Sequence, residues 1–370
     1  MIDGVKVTNG REVSTSTQLR LVQALRALAA LFVVVFHCTV LWHDKFDPNY
    51  RPWENGNSGV DLFFVISGFI MTISSKRLFG RPDAWRQFMT SRLVRVVPMY
   101  WLATGVKLAA LVVLPTLALH TRPTSWNIAA SFLFIPAHDA LGVVRPVLDV
   151  GWTLSFEMLF YTVFAVAIFL VINPVLLVGP VMVGLSLMSL EATANWPAFT
   201  SLADPIVLEF VFGLMLGRAF LAGAMRRIPS YWILPLSLAG LLFLAILPVD
   251  GRWERVGIWG TGATAMLCAS LLSEQWIGRR VPDLLVLIGE ASYSLYLTHG
   301  FVLPVIAMLL LESGLEKQLS AAILIPLCLI ASSLFALVVF RWIESHMTAW
   351  LRRLAGKRRM TNLKSVEASI

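Results

Sequence analysis

The chain has 370 residues, of which 57% are hydrophobic and only 14% are charged. A soluble domain is nearer half apolar and a quarter charged, so this composition leaves too little polar surface for a water-soluble globular protein. The formal net charge of +8 is explained by where the cations fall around membrane spans, and no nucleic-acid partner is expected.

The apolar residues come in continuous runs of about 20, the length that a helix needs to cross roughly 30 Å of hydrocarbon. The runs do not alternate with polar residues as the strands of a membrane barrel would. We therefore predict an all-α, polytopic integral membrane protein of about ten transmembrane helices. The predicted spans are 22–42, 59–79, 96–115, 152–172, 175–190, 205–222, 231–248, 257–273, 291–311 and 320–340.

The distribution of lysine and arginine orients these spans. With a cytoplasmic N-terminus, 22 of the 30 cations fall in inside segments and seven fall in outside segments. This excess predicts that both termini are cytoplasmic. The chain then divides into a cytoplasmic N-terminal segment (1–21), one transmembrane domain (22–342) and a basic cytoplasmic tail (343–370).

Two segments outside the spans have amphipathic character. The longest outside segment, 116–150, contains a stretch around Trp126–Pro136 that is predicted to lie in the interface or to re-enter the membrane. The tail carries Trp350, Leu351 and Leu354 among its cations, which favours contact with anionic lipid. The three cysteines fit no metal-ligand spacing, so no metal site is expected.

The first span places Arg26 and His37 on one helical face. They are eleven residues apart, which is close to three turns, or about 16 Å along the axis. An arginine near the core of a membrane helix costs roughly 2.5–3.5 kcal/mol, so such residues usually face a protein interior or an aqueous cavity. The alternative is an arginine that reaches the inner interface and a histidine that is satisfied by a neighbouring helix.

Further charged residues lie near the ends of the next two spans. Asp61 is close to the outer end of the second span, where the helix dipole also favours a carboxylate in a purely capping role. Arg92 and Arg95 share a face at the predicted cytoplasmic entrance to the third span, and Pro98 suits its first turn. Paired guanidiniums match phosphate groups, although basic residues are common at cytoplasmic helix ends.

Three more residues, in or beside the fourth and ninth spans, join the set of candidates. Glu157 and His37 each lie about five residues below an outer helix end, and an unpaired carboxylate at that depth is costly, so His37 is its predicted partner. A purely structural His–Glu pair would have the same pattern. Tyr296 and His299 lie within or beside the ninth span, where packing and hydrogen bonding are the alternative roles.

Six segments in chain order resemble the membrane-bound acyltransferase 3 family, and most closely its ExoZ-like exopolysaccharide O-acetyltransferase branch. The arginine-ten-residues-histidine pattern of that family matches Arg26 and His37, and its double-arginine pattern matches Arg92 and Arg95. A glutamate–proline signature after the last span is present here as RWIESHM without the proline, which makes Glu344 a poor candidate. The six segments are LRALAALFVVVFHC, GVDLFFVISGFIM, RLVRVVPMYW, VGWTLSFEMLFY, LEFVFGLMLG and GEASYSLYLTHGF.

The resemblance implies a multi-pass enzyme of the bacterial inner (plasma) membrane that moves an acyl group, typically acetyl, from acyl-CoA to a hydroxyl of a polysaccharide or lipid-linked oligosaccharide. It implies no permanently bound cofactor. On this hypothesis the predicted roles are catalytic for His37, Glu157 and Asp61, donor-binding for Arg26, Arg92 and Arg95, and substrate-binding for Trp152, Tyr296 and His299.

The sequence leaves the chemistry of the histidine open. His37 is either a general base, oriented by Glu157 or Asp61, or a nucleophile that forms a transient acyl-histidine. A transporter or flippase for a glycan or glycolipid is the alternative function, because such proteins also carry intramembrane charge. A non-catalytic subunit of a polysaccharide assembly machine would leave the alignment of Arg26 with His37 unexplained.

Overall fold

The computed structural model describes residues 19–81, 83–113, 122–193, 196–314 and 320–355. Within these ranges the chain is helical apart from turns, loops and one isolated bridge between His138 and Val144. The helices are α1 Arg20–Lys45, α2 Ser58–Ser75, α3 Ala84–Val113, α4 Ser125–Phe132, α5 Trp152–Phe169, α6 Pro174–Met188, α7 Leu208–Leu221, α8 Ile233–Ala245, α9 Arg252–Arg255, α10 Thr261–Ile277, α11 Asp283–Glu290, α12 Ser292–Ser313 and α13 Ala321–Val339.

Two π-helical segments extend these elements. Val256–Gly260 joins α9 to α10, and Phe340–Glu344 continues α13. In the described residues, seven continuous helices are long and apolar enough to cross a membrane. All ten predicted spans overlap a helix, which confirms the all-α class and the multi-pass architecture. That α6, α7 and α8 also cross, and that both termini are cytoplasmic, stay predictions.

Two glycines bring α2 and α7 into very close contact. A Cβ atom on Gly68 would collide with the Phe210 carbonyl, and one on Gly213 would collide with the Val65 carbonyl. Small residues allow this approach in membranes, where helix association depends on close van der Waals packing. The contact fixes α2 in the middle of the bundle.

A column of aromatic rings joins α2, α7, α5 and α3 beside this contact. Phe64 stacks on Phe210 at 4.4 Å between ring centroids, and Phe210 stacks on Phe160 at 4.6 Å. Phe164 continues the column to Phe88 of α3 at 5.0 Å. Because all five rings are fully buried, they fix the rotation of α5 and so the direction in which its polar residues point.

The third helix differs from the sequence prediction. It begins at Ala84, well before Pro98, and continues through that proline to Val113. Pro98 therefore does not occupy the first turn, and Arg92 and Arg95 lie within the helix instead of at its entrance. A proline inside a membrane helix is tolerated when neighbouring groups satisfy the freed carbonyls.

The predicted amphipathic stretch forms α4 and the ordered loop that follows it. The Thr124 hydroxyl accepts a hydrogen bond from the backbone N–H of Asn127 at 3.1 Å and caps the helix. Asn127 and Ser131 are buried, whereas Trp126 is 61% exposed. One face of α4 therefore packs on the protein, and the other presents an aromatic ring outward.

Candidate active site

A cavity of about 200 Å³ lies between α1, α2, α3, α5 and α12. Its walls carry three guanidiniums and one carboxylate, so its charge is predominantly positive. It contains five of the site residues predicted from the sequence. Its charged and polar lining residues are Gln23, Arg26, Ser67, Arg92, Arg95, Thr153, Glu157, Tyr161, Ser292, Tyr293 and Tyr296.

The arginines reach the cavity from two helices. Arg26 of α1 donates through Nη2 to the Ser292 hydroxyl of α12 at 2.9 Å. Arg92 of α3 donates through Nη2 to the Ser74 hydroxyl at 2.9 Å, while its buried Nε atom has no hydrogen-bond partner in the described chain. Arg95 is one turn farther along α3 and lines the same wall. The recorded partners of Arg26 and Arg92 are uncharged, so neither guanidinium is neutralised by a direct ion pair in the described chain.

Glu157 is the acidic group of this cavity, and its contact differs from the predicted one. Its carboxylate accepts a hydrogen bond from Ser67 of α2 at 2.8 Å, and no ion pair joins it to His37 within the described residues. Its charge acts instead on the guanidiniums of Arg26 and Arg92. The predicted His37–Glu157 pair is thus wrong as a direct contact, because depth along a helix does not give the direction in which a side chain points.

His37 lies against a second histidine. The ring centroids of His37 and His299 are 4.8 Å apart. His37 Nδ1 lies 2.8 Å from the Val33 carbonyl, and His299 Nδ1 lies 3.0 Å from the Leu295 carbonyl. Because a carbonyl only accepts, both Nδ1 atoms carry the proton and both Nε2 atoms have a free lone pair when the rings are neutral.

Tyr296 connects this histidine pair to the cavity. Its ring lies 6.3 Å from that of His299. Its hydroxyl is 3.0 Å from the Thr153 hydroxyl and donates to the Val150 carbonyl at 3.1 Å. The buried His299 Nε2 has no hydrogen-bond partner in the described residues. The structure therefore places Tyr296 between the cationic cavity and the two rings.

Asp61 lies in a different charge cluster. Its fully buried carboxylate forms a bidentate ion pair with Arg255, with Nη2 to Oδ2 at 2.8 Å and Nε to Oδ1 at 3.0 Å. Buried Glu209 of α7 lies within the electrostatic reach of both groups. Arg255 and Glu209 were not singled out from the sequence. Asp61 is thus engaged by an arginine and is not placed to orient His37.

We expect removal of one partner of the Asp61–Arg255 pair to destabilise the fold. Asp61→Asn or Arg255→Met should each cost about 3–5 kcal/mol, because each leaves an uncompensated buried charge. The double variant Asp61→Leu/Arg255→Met should recover much of that loss, since it removes both charges of the pair and leaves neither partner uncompensated. Thermal unfolding of the detergent-purified variants measures this. An Asp61→Asn protein of wild-type stability that lacks activity would instead assign Asp61 to the chemistry.

Trp152 lines a second cavity, of about 210 Å³, and does not join Tyr296 or His299. This second cavity lies between α3, α5, the loop after α4 and the segment before α7. Asp204 lies in its wall and forms an ion pair with Arg252 at 3.6 Å. Burial raises the pKa of Asp204 above its ordinary value, although the Ile206 backbone N–H and Arg252 partly offset this effect.

Glu344 is a residue that sequence reasoning set aside. It lies on the second π-helical segment, is 7% exposed and accepts a hydrogen bond from the Ser294 hydroxyl at 2.5 Å. Its charge acts on Arg95 and Arg26. The only available sequence signal was a carboxylate near the end of an apolar run, since π-helical insertions are frequent at functional sites but leave no pattern of their own.

Comparison with known proteins identifies the family of the chain and several similar sequences. The sequence profile of an acyltransferase domain, Acyl_transf_3, matches residues 21–342. The exopolysaccharide production protein ExoZ of Rhizobium meliloti (strain 1021) is 36% identical over 320 residues, covering 82% of this chain and 92% of that protein. No solved structure matches the chain significantly.

Two other similar proteins cover smaller parts of the chain. Protein 2 in the picA locus of Rhizobium radiobacter is 27% identical over 39% of this chain and 80% of its own length. The peptidoglycan O-acetyltransferase OatA of Listeria monocytogenes is 26% identical over 45% of this chain and 27% of its own length. With the profile matched over residues 21–342 and the multi-pass helical architecture, the chain belongs to the acyltransferase 3 family.

Proposed function

We propose that this protein is an O-acyltransferase that moves an acyl group, acetyl in the first instance, from acyl-CoA to a hydroxyl of an exported polysaccharide. The observation that supports it most is the convergence of Arg26, Arg92 and Arg95 on one cavity. The paired rings of His37 and His299 do not line this cavity, but Tyr296 of its wall lies 6.3 Å from His299. The cations match the phosphates of the donor, and the histidine provides a base. The names of two similar proteins, an exopolysaccharide production protein and a peptidoglycan O-acetyltransferase, support the same substrate class.

The donor is assigned to the positive cavity because of its charge. Guanidiniums bind phosphate oxygens through charge-assisted hydrogen bonds, and arginine does so with planar, paired donors. On the predicted topology the arginines are nearer the cytoplasm, where acyl-CoA is available. The pantetheine arm would then extend past Glu157 towards Tyr296, and its thioester would reach the histidines.

The transfer step follows from the protonation of His37. Its Nδ1–H is held by the Val33 carbonyl, so Nε2 accepts the proton of the acceptor hydroxyl as that oxygen attacks the thioester carbonyl carbon. The new C–O bond forms, the C–S bond breaks, and the proton passes from His37 to the leaving thiolate. The products are the O-acyl glycan and free coenzyme A, with His37 neutral again.

His299, and not the carboxylate of Glu157 or Asp61, lies beside the ring of His37. Its buried Nε2 has no partner in the described chain and is available beside His37. Because the Val33 carbonyl already accepts from His37 Nδ1–H, a neutral His299 would accept from Nε2–H of the imidazolium and stabilise it until the leaving thiolate takes that proton. This role makes His299 a positioning residue for the base, in place of the substrate contact predicted from the sequence.

We expect Glu157→Gln to fold better than Glu157→Leu while both lose most of the activity. Glutamine keeps an oxygen that accepts from Ser67, whereas leucine leaves the hydroxyl unpaired, but neither residue balances the cationic cavity. Ser67→Ala is the matched control, because it removes the hydrogen bond and keeps the charge. Labelled acyl transfer at equal protein amounts measures the effect, and full activity in Glu157→Gln would assign the carboxylate to structure alone.

The direct test of the function is transfer of labelled acetyl from acetyl-CoA to glycan in membranes that contain the protein. Wild-type membranes should label the glycan, and membranes without the protein should not. Alkali should release the label, because an O-acyl ester is hydrolysed by base. Glycan transport without labelling would support the transporter alternative and contradict the proposal.

A further inference from the structure

The second cavity takes no part in the donor-side chemistry described above. We propose that it is an anchoring subsite that binds one pyranose ring of the acceptor glycan, with the ring against Trp152 and its oxygens on the guanidiniums of Arg145 and Arg252. This inference rests on the proposed function and adds the place where the acceptor is held. It assigns Trp152 a role separate from that of Tyr296.

Aromatic side chains form much of the wall of the cavity. Trp152 packs edge-to-face against Phe156 at 5.8 Å between centroids, and Tyr100 packs against Phe134 at 4.7 Å. All four rings line the space. Aromatic rings offer a large apolar face at a low cost in conformational entropy, and the C–H face of a pyranose is a matching flat apolar surface.

Two guanidiniums supply the polar contacts that a sugar needs. Arg145 forms an ion pair with Asp139 through Nε at 2.8 Å, and Arg252 uses Nε towards Asp204 at 3.6 Å. Among the described residues, neither arginine donates a side-chain hydrogen bond through its Nη atoms. Each guanidinium is thus oriented by a carboxylate and keeps paired donors for hydroxyl or carboxylate oxygens of a ligand.

The loop that carries Arg145 is held in place before any ligand binds. Asn127 Nδ2 donates to the Arg145 carbonyl at 2.8 Å. The Ser131 hydroxyl accepts from the Val147 N–H at 2.9 Å, and Asp139 accepts from the N–H groups of Leu141 and Val143. A preorganised wall costs little conformational entropy on binding, which is typical of a binding site and unusual for a connecting loop.

The position of the cavity suits a glycan that arrives from outside. The segments around Pro136–Pro146, Ser201–Asp204 and Arg252 that meet there all belong to loops predicted to lie on the outer side. The helices α3 and α5 separate it from the cationic cavity, since Val96 and Thr153 line one and Tyr100 and Trp152 line the other. A ring held at Trp152 leaves the adjoining sugar to reach past Thr153 and Tyr296 towards the histidines.

The test is an acceptor titration with the full-length protein in nanodiscs and saturating labelled acetyl-CoA. The acceptor is a set of oligosaccharides from partial hydrolysis of the exopolysaccharide, deacylated with alkali. Trp152→Leu should raise the acceptor KM roughly tenfold, and Trp152→Phe, which keeps a ring, should recover most of that loss. Arg252→Gln should raise it by a similar factor, and the donor KM should not change in any of these variants.

Two matched controls isolate the cavity from general effects of losing a tryptophan or a charge. Trp126→Leu removes an exposed tryptophan from α4, and Arg51→Gln removes an exposed cation; neither residue lines the cavity, so both should keep the wild-type acceptor KM. An unchanged acceptor KM in Trp152→Leu and Arg252→Gln overturns the subsite, as does a loss of turnover alone.

Saturation-transfer NMR of the same oligosaccharides with the wild type and Trp152→Leu measures binding without acyl transfer. It distinguishes failure of the subsite from failure of the proposed function. Oligosaccharide binding that is lost in Trp152→Leu would support the subsite even if no acetyl were transferred, and absence of binding to the wild type would contradict it.

Discussion

His37→Ala should abolish acyl transfer while membrane abundance and donor binding stay close to those of the wild type. A general base supplies roughly a 100-fold to 10,000-fold rate factor, and His37 has its Nε2 free for that role because the Val33 carbonyl holds Nδ1. The ring is not part of a buried ion pair, so its removal leaves no stranded charge. The measurement is single-turnover transfer of labelled acetyl to glycan at matched expression.

His346→Ala is the matched control, because that histidine is exposed beyond the second π-helical segment and should keep wild-type activity. A His37→Ala protein with near-normal transfer would contradict the assignment of the base.

His299→Ala should weaken transfer and shift its pH profile, since the partner of the imidazolium is lost. Equal effects on rate at every pH would indicate that His299 has a packing role only.

The general architecture could be predicted because it depends on lengths and composition. Each long apolar run forms a helix, because backbone groups left unpaired in lipid are costly and a helix pairs them within the run. The face shared by Arg26 and His37 was predicted from the helical period alone. Arg92 and Arg95 line the same cavity as Arg26, which their common predicted role in donor binding requires, although α3 begins earlier than its apolar run.

The contacts across the bundle could not be predicted from one sequence. Asp61 and Arg255 are separated by 194 positions, and nothing in their local patterns indicates that they meet. The partner of Glu157 depends on the rotation of α5, which the buried phenylalanine column fixes through packing. Glu344 was set aside because a proline was missing, yet the π-helical segment buries it beside Ser294.

The arginines of the positive cavity should determine donor affinity more than turnover. Arg92 and Arg95 are proposed to hold the phosphates of acyl-CoA, and such contacts persist in both the bound substrate and the transition state. A charge-assisted contact is worth roughly 1.5–3 kcal/mol, or about tenfold to hundredfold in affinity. Arg92→Ala and Arg95→Ala should therefore raise the donor KM by that factor and change turnover less.

The same series contains its own controls. Arg95→Lys should recover only part of the loss, since an ammonium group lacks the planar, paired donors of a guanidinium. Arg86 lies on the same helix, forms an exposed ion pair with Asp83 at 3.5 Å and does not line the cavity, so Arg86→Ala should keep the wild-type donor KM. Donor titration in inside-out vesicles measures all four arginine variants. His37→Ala, measured beside them, should show the opposite pattern of retained donor affinity and lost turnover.

If Arg92→Ala and Arg95→Ala lower turnover and leave the donor KM unchanged, the cavity does not bind the phosphates. The two guanidiniums would then serve the cytoplasmic orientation of α3, as basic residues at an inner membrane interface commonly do.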